Sequence, residues 1–547
     1  MFKLRIFFAN FFWFLSCLPG LAGFLYACLC PRFAQQKIFS RQGNGIHEAS
    51  EKNFAPMESS ELTCLIEQIC RTGNLPATGE KIIQLVPTSG TSSAAKLIPY
   101  SQSLIDEIRR GIDPWMASLY LCCPSLFFGR QYWALSPNTR PSPMENSAVT
   151  VGFVDDSLYL GALQRKMAGM ILVAPPELSL IEDGDSFDYV TLLFMVQEKN
   201  LRLISVWHPS YLTRLLDSWM KHRNAVIGTI SSGCLARRYK IPEHIILKLE
   251  RQLYKDPGRA MFLSSIRTDE KSFSVRIWKN IRVISCWTDG MASAWVDELK
   301  NRFPGVRIQG KGLLATEGII SIPLGFKRSP VVALNSHFLE FEDKKNEGLH
   351  LSWELKNGCE YGVMLTNAAG LRCYKLHDVV RVEGFFLSAP RIRFIGRDST
   401  IDLVGEKLSS SNVEEILHGV RKRNEGEIRF TMIAPFVKDD LRGYVLYVQS
   451  SGSDLDYKGI LKSVEEELLK NYHYLHAINR KQISPLQLFL ISENAEELFV
   501  KHSLISGSRL GDVKFTPLSR FFDWDKVFPG RFLTFDNPCF RNPKQDI

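Results

Sequence analysis

Between residue 82 and about residue 400, short apolar runs alternate with stretches of helical periodicity, and that alternation restricts this part of the chain to a layered α/β fold. The runs Ile82–Val86, Thr150–Val154, Met170–Val173, Ala225–Gly228 and Val283–Cys286 each read as strands. A short helix is expected at about 59–71. Past Arg397-Asp398 the pattern changes. Residues 428–434 and 442–449 read as a hairpin pair, 486–491 as another strand, and 455–476 as one amphipathic helix with Leu461, Val464, Leu468 and Leu475 on a single face. The expected architecture is a large α/β domain of layered sheets and helices over 31–398 and a smaller, mobile α+β domain over 399–547.

Residues 6–30 carry no charged side chain, with Lys3 and Arg5 before them and Arg32 after. Their length would suffice for a membrane span or a leader. Pro19-Gly20 sits in the middle, so a pair of short helices, packed on the domain or lying on a membrane surface, is expected instead. That leaves a cytoplasmic protein, with residues 1–30 as a candidate for peripheral membrane contact. Removing residues 1–30 is expected to leave a soluble chain, because the chemistry-bearing motifs begin near residue 86.

The formal net charge is +9, from 67 Lys and Arg against 58 Asp and Glu, and it is spread thinly. Clusters such as Arg421-Lys422-Arg423 are too short for a nucleic-acid arm, so no nucleic-acid partner is expected. Twelve cysteines include no C-x-x-C pair, which excludes the usual zinc spacing and suits free thiols in a reducing compartment.

Three segments carry chemistry. Val86-Pro-Thr-Ser-Gly-Thr-Ser-Ser-Ala-Ala-Lys96 is a strand running into a hydroxyl-rich turn closed by a lysine. Backbone N–H groups, hydroxyls and an ammonium together suit a polyphosphate, although the turn is not a G-x-x-x-x-G-K-[ST] loop. In Gln309-Gly-Lys-Gly-Leu-Leu-Ala-Thr-Glu317-Gly318, a carboxylate at a strand end could ligate Mg²⁺. In Gly370–Gly384, Asp378 precedes a Val-Val strand and could accept from a ribose diol, with Arg397 following on the next turn.

In this order the three segments resemble the auxin-responsive-promoter family of acyl acid amido synthetases, within the acyl-adenylate-forming superfamily. Asp155–Gly161, Trp207–Leu212, Trp287–Gly290, His337–Phe341, Gly405–Leu408 and Gly511–Lys514 add to the likeness, which runs from about residue 84 to 520. The resemblance implies an adenylate-forming large domain. Ser89, Gly90, Thr91, Ser92 and Lys96 would form its phosphate loop, Thr316 and Glu317 would meet the α-phosphate and Mg²⁺, and Asp378 and Arg397 would hold the ribose. Lys514, on the small domain, would reach the acyl carboxylate and the α-phosphate during adenylation. Four departures stand out: Ser93-Ala94 replace a second glycine of the phosphate loop, the arginine-rich run before Asp378 reads Arg-Cys-Tyr-Lys-Leu-His, His377 replaces a glycine, and the stretch between Gln36 and Thr88 is shortened.

The expected function is that of a ligase using ATP and Mg²⁺. It would adenylate a small carboxylic acid and pass the acyl group to an amine, by resemblance an amino acid. Formation of a coenzyme A thioester, or nucleotide binding without turnover, are the alternatives.

Overall fold

The computed structural model describes residues 2–41, 56–87, 96–135, 148–150, 160–267, 273–326, 328–345, 348–397, 400–401, 403, 408–438, 441–452, 455–479, 483–505, 513 and 515–533. They divide into two compact units, one reaching to Ile395 and the other beginning at Gly396.

The larger unit opens with helices α1 (Phe2–Leu29), α2 (Pro31–Arg41) and α3 (Ser59–Thr72). An antiparallel pair follows, β1 (Ile82–Pro87) and β2 (Leu97–Ser101), and then the long helix α4 (Gln102–Cys122). The break expected at Pro19-Gly20 does not occur, and α1 is continuous. An interior proline costs a helix about 3 kcal/mol. Buried Trp13 and Cys17 before it and Phe24 after it anchor both halves to the domain, and such packing outweighs the local loss. Gly20 serves contact rather than interruption, since a Cβ there would stand 2.5 Å from Cβ of Asp113 on α4.

Two buried amides fix these helices. Asn10 on α1 donates to the carbonyls of Phe127 (3.4 Å) and Gly129 (3.1 Å) and accepts from Tyr120 Oη (2.6 Å) and Gln131 Nε2 (3.2 Å). Gln35 on α2 donates to the carbonyls of Leu334 and His337, 2.8 Å each, and accepts from the amide of Leu339 at 2.9 Å. Phe24, Ala27 and Cys28 share one apolar cluster with β1, β2 and the main antiparallel sheet. Residues 1–30 are therefore part of the core, and their removal would open it rather than leave a closed domain.

Next come β3 (Arg130–Trp133), α5 (Ala162–Ile171), α6 (Gly184–Gln197), β4 (Leu201–Ser205), β5 (Val283–Cys286) and β6 (Arg307–Gly310). Strands β3 to β6 form a parallel sheet in that order, with α6 buried along its length from Ser186 to Gln197. Two expected strands are corrected. Met170-Ile171 ends α5, and beyond it Leu172 makes only an isolated bridge to Gln131. Ala225–Gly228 lies inside the helix Trp219–Ser232, where Val226 and Ile230 are the buried side. An apolar β-branched run fits the inner face of a helix as well as a strand.

The rest of the unit is antiparallel. The strands are β7 (Leu314–Ala315), β8 (Gly318–Ile319), β9 (Ser321–Ile322), β10 (Val331–Val332), β11 (Phe338–Asp343), β12 (Leu349–Leu351), β13 (Glu360–Thr366), β14 (Tyr374–Phe386) and β15 (Ala389–Arg397). Seven of them make one sheet in the order β12-β11-β13-β14-β15-β10-β9, while β7 and β8 form a hairpin of their own.

The smaller unit pairs Ile428–Lys438 with Leu441–Ser450 antiparallel, adds Ser484–Ile491 parallel to the latter, and ends on Gly530–Leu533. Where one helix was expected over 455–476 there are two, Tyr457–Leu468 and Tyr472–Asn479. Asn471 between them accepts from the amide of Tyr474 at 3.3 Å and starts the second. Ile460, Val464 and Leu468 are buried, whereas Leu475 is exposed.

Candidate functional site

β1 and β2 are in register up to Pro87 opposite Leu97, so Lys96 stands at the mouth of this pair. Its Nζ donates to Tyr374 Oη at 3.4 Å and lies 5.4 Å from the centre of that ring. Tyr374 is buried and opens β14, opposite Leu365 of β13. Four residues on, Asp378 is buried inside a β-bulge. Gly362 pairs with Val379 and Met364 with Lys375, so three residues of β14, Leu376 to Asp378, face Val363 alone. Bulges of this kind re-aim a side chain out of the ladder. The middle residue, His377, has φ +62°, in the left-handed region. The glycine that the resemblance expects there would adopt that backbone without strain.

Thr316 and Glu317 form the tip of the β7–β8 hairpin, where Ala315 pairs with Gly318. Two buried side chains hold the tip by its backbone. Tyr100 Oη on β2 donates to the Thr316 carbonyl, and Asn367 Nδ2 donates to the Glu317 carbonyl, each at 2.7 Å. Asn367 follows β13, and its Oδ1 accepts from the amide of Ala369 at 2.9 Å in an Asx turn. Behind the tip, a Cβ on Gly318 would come within 2.5 Å of His337 Nε2, so only glycine admits this approach. His337 Nδ1 pairs with Glu107 Oε2 at 2.9 Å, and the same oxygen accepts from the amide of Ala368 at 3.0 Å. One buried carboxylate of α4 thus supports both the ring under the tip and the loop holding it.

Four of the expected site residues, Lys96, Thr316, Glu317 and Asp378, are brought to one corner through Tyr374 and the β13–β14 loop. Arg397 ends β15, next to β14 in the sheet. Ser89, Gly90, Thr91, Ser92 and Lys514 lie outside the described residues, as do residues 155–159, 405–407 and Asp398. Among the described residues no three His, Cys, Asp or Glu side chains converge for a metal. One carboxylate, Glu317, combined with phosphate oxygens of a nucleotide is a donor set that Mg²⁺ accepts.

Tyr100, Tyr374 and Asn367 were not singled out from the sequence. Neither was Lys311, which is buried after β6. Its Nζ donates to Ser205 Oγ at 2.6 Å and lies 4.9 Å from the ring centres of both Trp115 and Trp207. It stands at the carboxyl ends of the parallel strands, where open α/β sheets place their ligands. The signal was the segment Gln309–Gly312, in which a lysine sits between glycines at a strand end.

Residues 61–308 match the GH3 family N-terminal domain and residues 330–397 the GH3 family central domain, together more than half of the chain. Among curated proteins, the indole-3-acetic acid-amido synthetase GH3.4 of Arabidopsis thaliana is 21% identical over 486 residues, which covers 81% of this chain and 80% of that one. The jasmonoyl–L-amino acid synthetase JAR6 of Nicotiana attenuata is 25% identical over 254 residues, covering 42% and 43%. Among solved structures, the AtGH3.15 acyl acid amido synthetase in complex with 2,4-DB superposes with a TM-score of 0.78 at 16% identity, over 94% of this chain and 95% of that one. This likeness establishes the shared fold.

Proposed function

The chain belongs to the GH3 family, and we propose that within it the protein is an ATP-dependent acyl acid amido synthetase. The observation that carries this reading is the convergence of Lys96, the Thr316-Glu317 tip and bulged Asp378 around Tyr374 and Asn367. A cation for outer phosphates, a carboxylate for a metal and a carboxylate for a ribose diol are what an adenylation site needs.

In the first half-reaction a carboxylate oxygen of the acid attacks the α-phosphorus of ATP, and pyrophosphate leaves. A free carboxylate is a poor electrophile because its leaving group is poor, and the acyl-adenylate has AMP to expel instead. In the second, an amine attacks the acyl carbonyl, AMP leaves, and the nitrogen gives up a proton as the amide forms. Lys96 draws charge from the β- and γ-phosphates. Thr316 donates to the α-phosphate, Asp378 accepts from the ribose hydroxyls, and Arg397 has the ribose-holding role its family position suggests. Mg²⁺ held by Glu317 would neutralise charge on the phosphate oxygens. Lys514 has the role its family position suggests, offsetting charge on the attacking carboxylate. Lys311, with Trp115 and Trp207, offers the acid a cationic and aromatic surface at the sheet's carboxyl end.

The substrates are a small carboxylic acid and an amine, which we take to be an amino acid. The compartment is the cytoplasm, which supplies ATP and keeps thiols reduced. All eleven cysteines among the described residues are free, in keeping with that assignment. The test is product analysis with acid, ATP, Mg²⁺ and a mixture of amino acids and coenzyme A. The reading predicts an amide and AMP. A thioester in place of the amide would overturn it.

A further inference from the structure

Helix α1 is apolar on every side, yet only one side is covered. Ile6, Ala9, Trp13, Cys17, Phe24 and Cys28 face the domain and are buried. Phe8, Phe11, Phe12, Leu15, Tyr26 and Leu29 are 37–58% exposed, and most of them recur at helical spacing along the outer side. The apolar strip continues onto neighbouring elements. Phe7, on the same helix, stacks on exposed Phe128 with centroids 5.3 Å apart, and Tyr26 meets exposed Phe33 of α2 edge-on at 6.2 Å. A helix hydrophobic all round belongs in a core or in lipid, and an exposed apolar strip running the length of a helix of about 42 Å is unusual on a soluble monomer.

The charges flanking the strip have one sign. Lys3 and Arg5 precede it, Arg32 and Lys37 follow it, and all four are exposed. No Asp or Glu occurs in residues 1–41. Exposed Arg165 and Lys166 lie on α5, which packs beside α1. An apolar strip with cations at both ends matches a surface that is apolar inside and anionic at its face, which is a bilayer containing acidic lipids.

We infer that the outer side of α1 is a docking surface for anionic membranes and that the helix lies in the plane of the interface. Helix α1 is long and apolar enough to cross a bilayer by length and composition. Crossing, however, would break the hydrogen bonds of buried Asn10 to Phe127, Gly129, Tyr120 and Gln131 and uncover Trp13 and Cys17. The domain holds one side of the helix and leaves the other for lipid.

The test is flotation of the full chain with vesicles of phosphatidylcholine alone and of equal parts phosphatidylcholine and phosphatidylglycerol. The protein should float with the second and not the first, less so as salt rises, and alkaline carbonate should release it. The double variant Phe8→Ser with Phe12→Ser should lower the bound fraction about tenfold or more while keeping the wild-type melting temperature and adenylation rate. The variant Lys3→Glu with Arg5→Glu should weaken binding to the anionic vesicles. No flotation on either lipid, retention after carbonate, equal binding of the Phe8/Phe12 variant, or a dimer that forms through this face without lipid would each overturn the inference.

Discussion

The clasp made by α1 and α2 and the corner around Tyr374 are both built on buried polar side chains, and they use them differently. In the clasp, the amides of Asn10 and Gln35 bond to main-chain and side-chain groups of the domain they fasten. In the corner, Tyr100 and Asn367 take hold of the carbonyls of Thr316 and Glu317 and so set the position of a tip whose side chains are then aimed by its backbone. On the proposed function, the clasp serves stability and the corner serves chemistry. Substitutions in the two should therefore separate folding from rate.

The largest effect is expected in the clasp. Trp13 is 1% exposed and packs between α1 and α4, with its ring 5.9 Å from that of Trp133. Trp13→Ala should lower unfolding free energy by about 3–5 kcal/mol in urea titration, while molecules that remain folded adenylate at the normal rate. A matching loss of rate per folded molecule would erase the distinction between the two regions.

The converse belongs to the corner. Lys96→Ala and Glu317→Ala should each slow adenylation by about 2–4 kcal/mol, roughly thirty- to a thousandfold, with urea midpoints unchanged. Unfolding of either variant under assay conditions would make that residue part of the scaffold instead.

A smaller effect sharpens the boundary, because one group near the corner couples it to stability. Burial pushes the Glu340 carboxyl up to about 7 from 4.5, partly offset by its hydrogen bond with Cys373, the neighbour of Tyr374. A raised carboxyl binds its proton more tightly in the folded protein. The folded state is thus favoured below about pH 4.5 and loses that margin as pH rises toward 7. Glu340→Gln should flatten this fall in melting temperature, and an unchanged slope would assign it to other groups.

The smallest effect is expected at His377, whose φ of +62° is strained for a side chain. His377→Gly should raise stability by up to about 1 kcal/mol and leave adenylation as fast or faster, as thermal melts and rates would show. A slower enzyme would mean that the imidazole itself takes part in the site.

How much of this was legible in the sequence follows the range of the interactions. Strands at Ile82–Val86 and Val283–Cys286 and the hairpin after residue 428 are declared by local composition, and the structure has them. Pro19 and the run Ala225–Gly228 carry equally clear local signals, and there packing overrode them. In the site, Lys96, Glu317 and Asp378 stand out because each lies in a distinctive short segment. Tyr374 meets Lys96 across 278 residues of sequence, and Asn367 reaches Glu317 across 50, so their part is decided by strand pairing that no local window contains. The glycine expected at 377 was a local hint of the bulge, because only a left-handed position would require it.

On the proposed function, the corner adenylates a carboxylic acid. The most direct measurement is exchange of labelled pyrophosphate into ATP across a broad panel of small carboxylic acids, with and without Mg²⁺. Exchange should depend on both the acid and the metal and be lost in Glu317→Ala. Tight ATP binding with no exchange for any acid would contradict it.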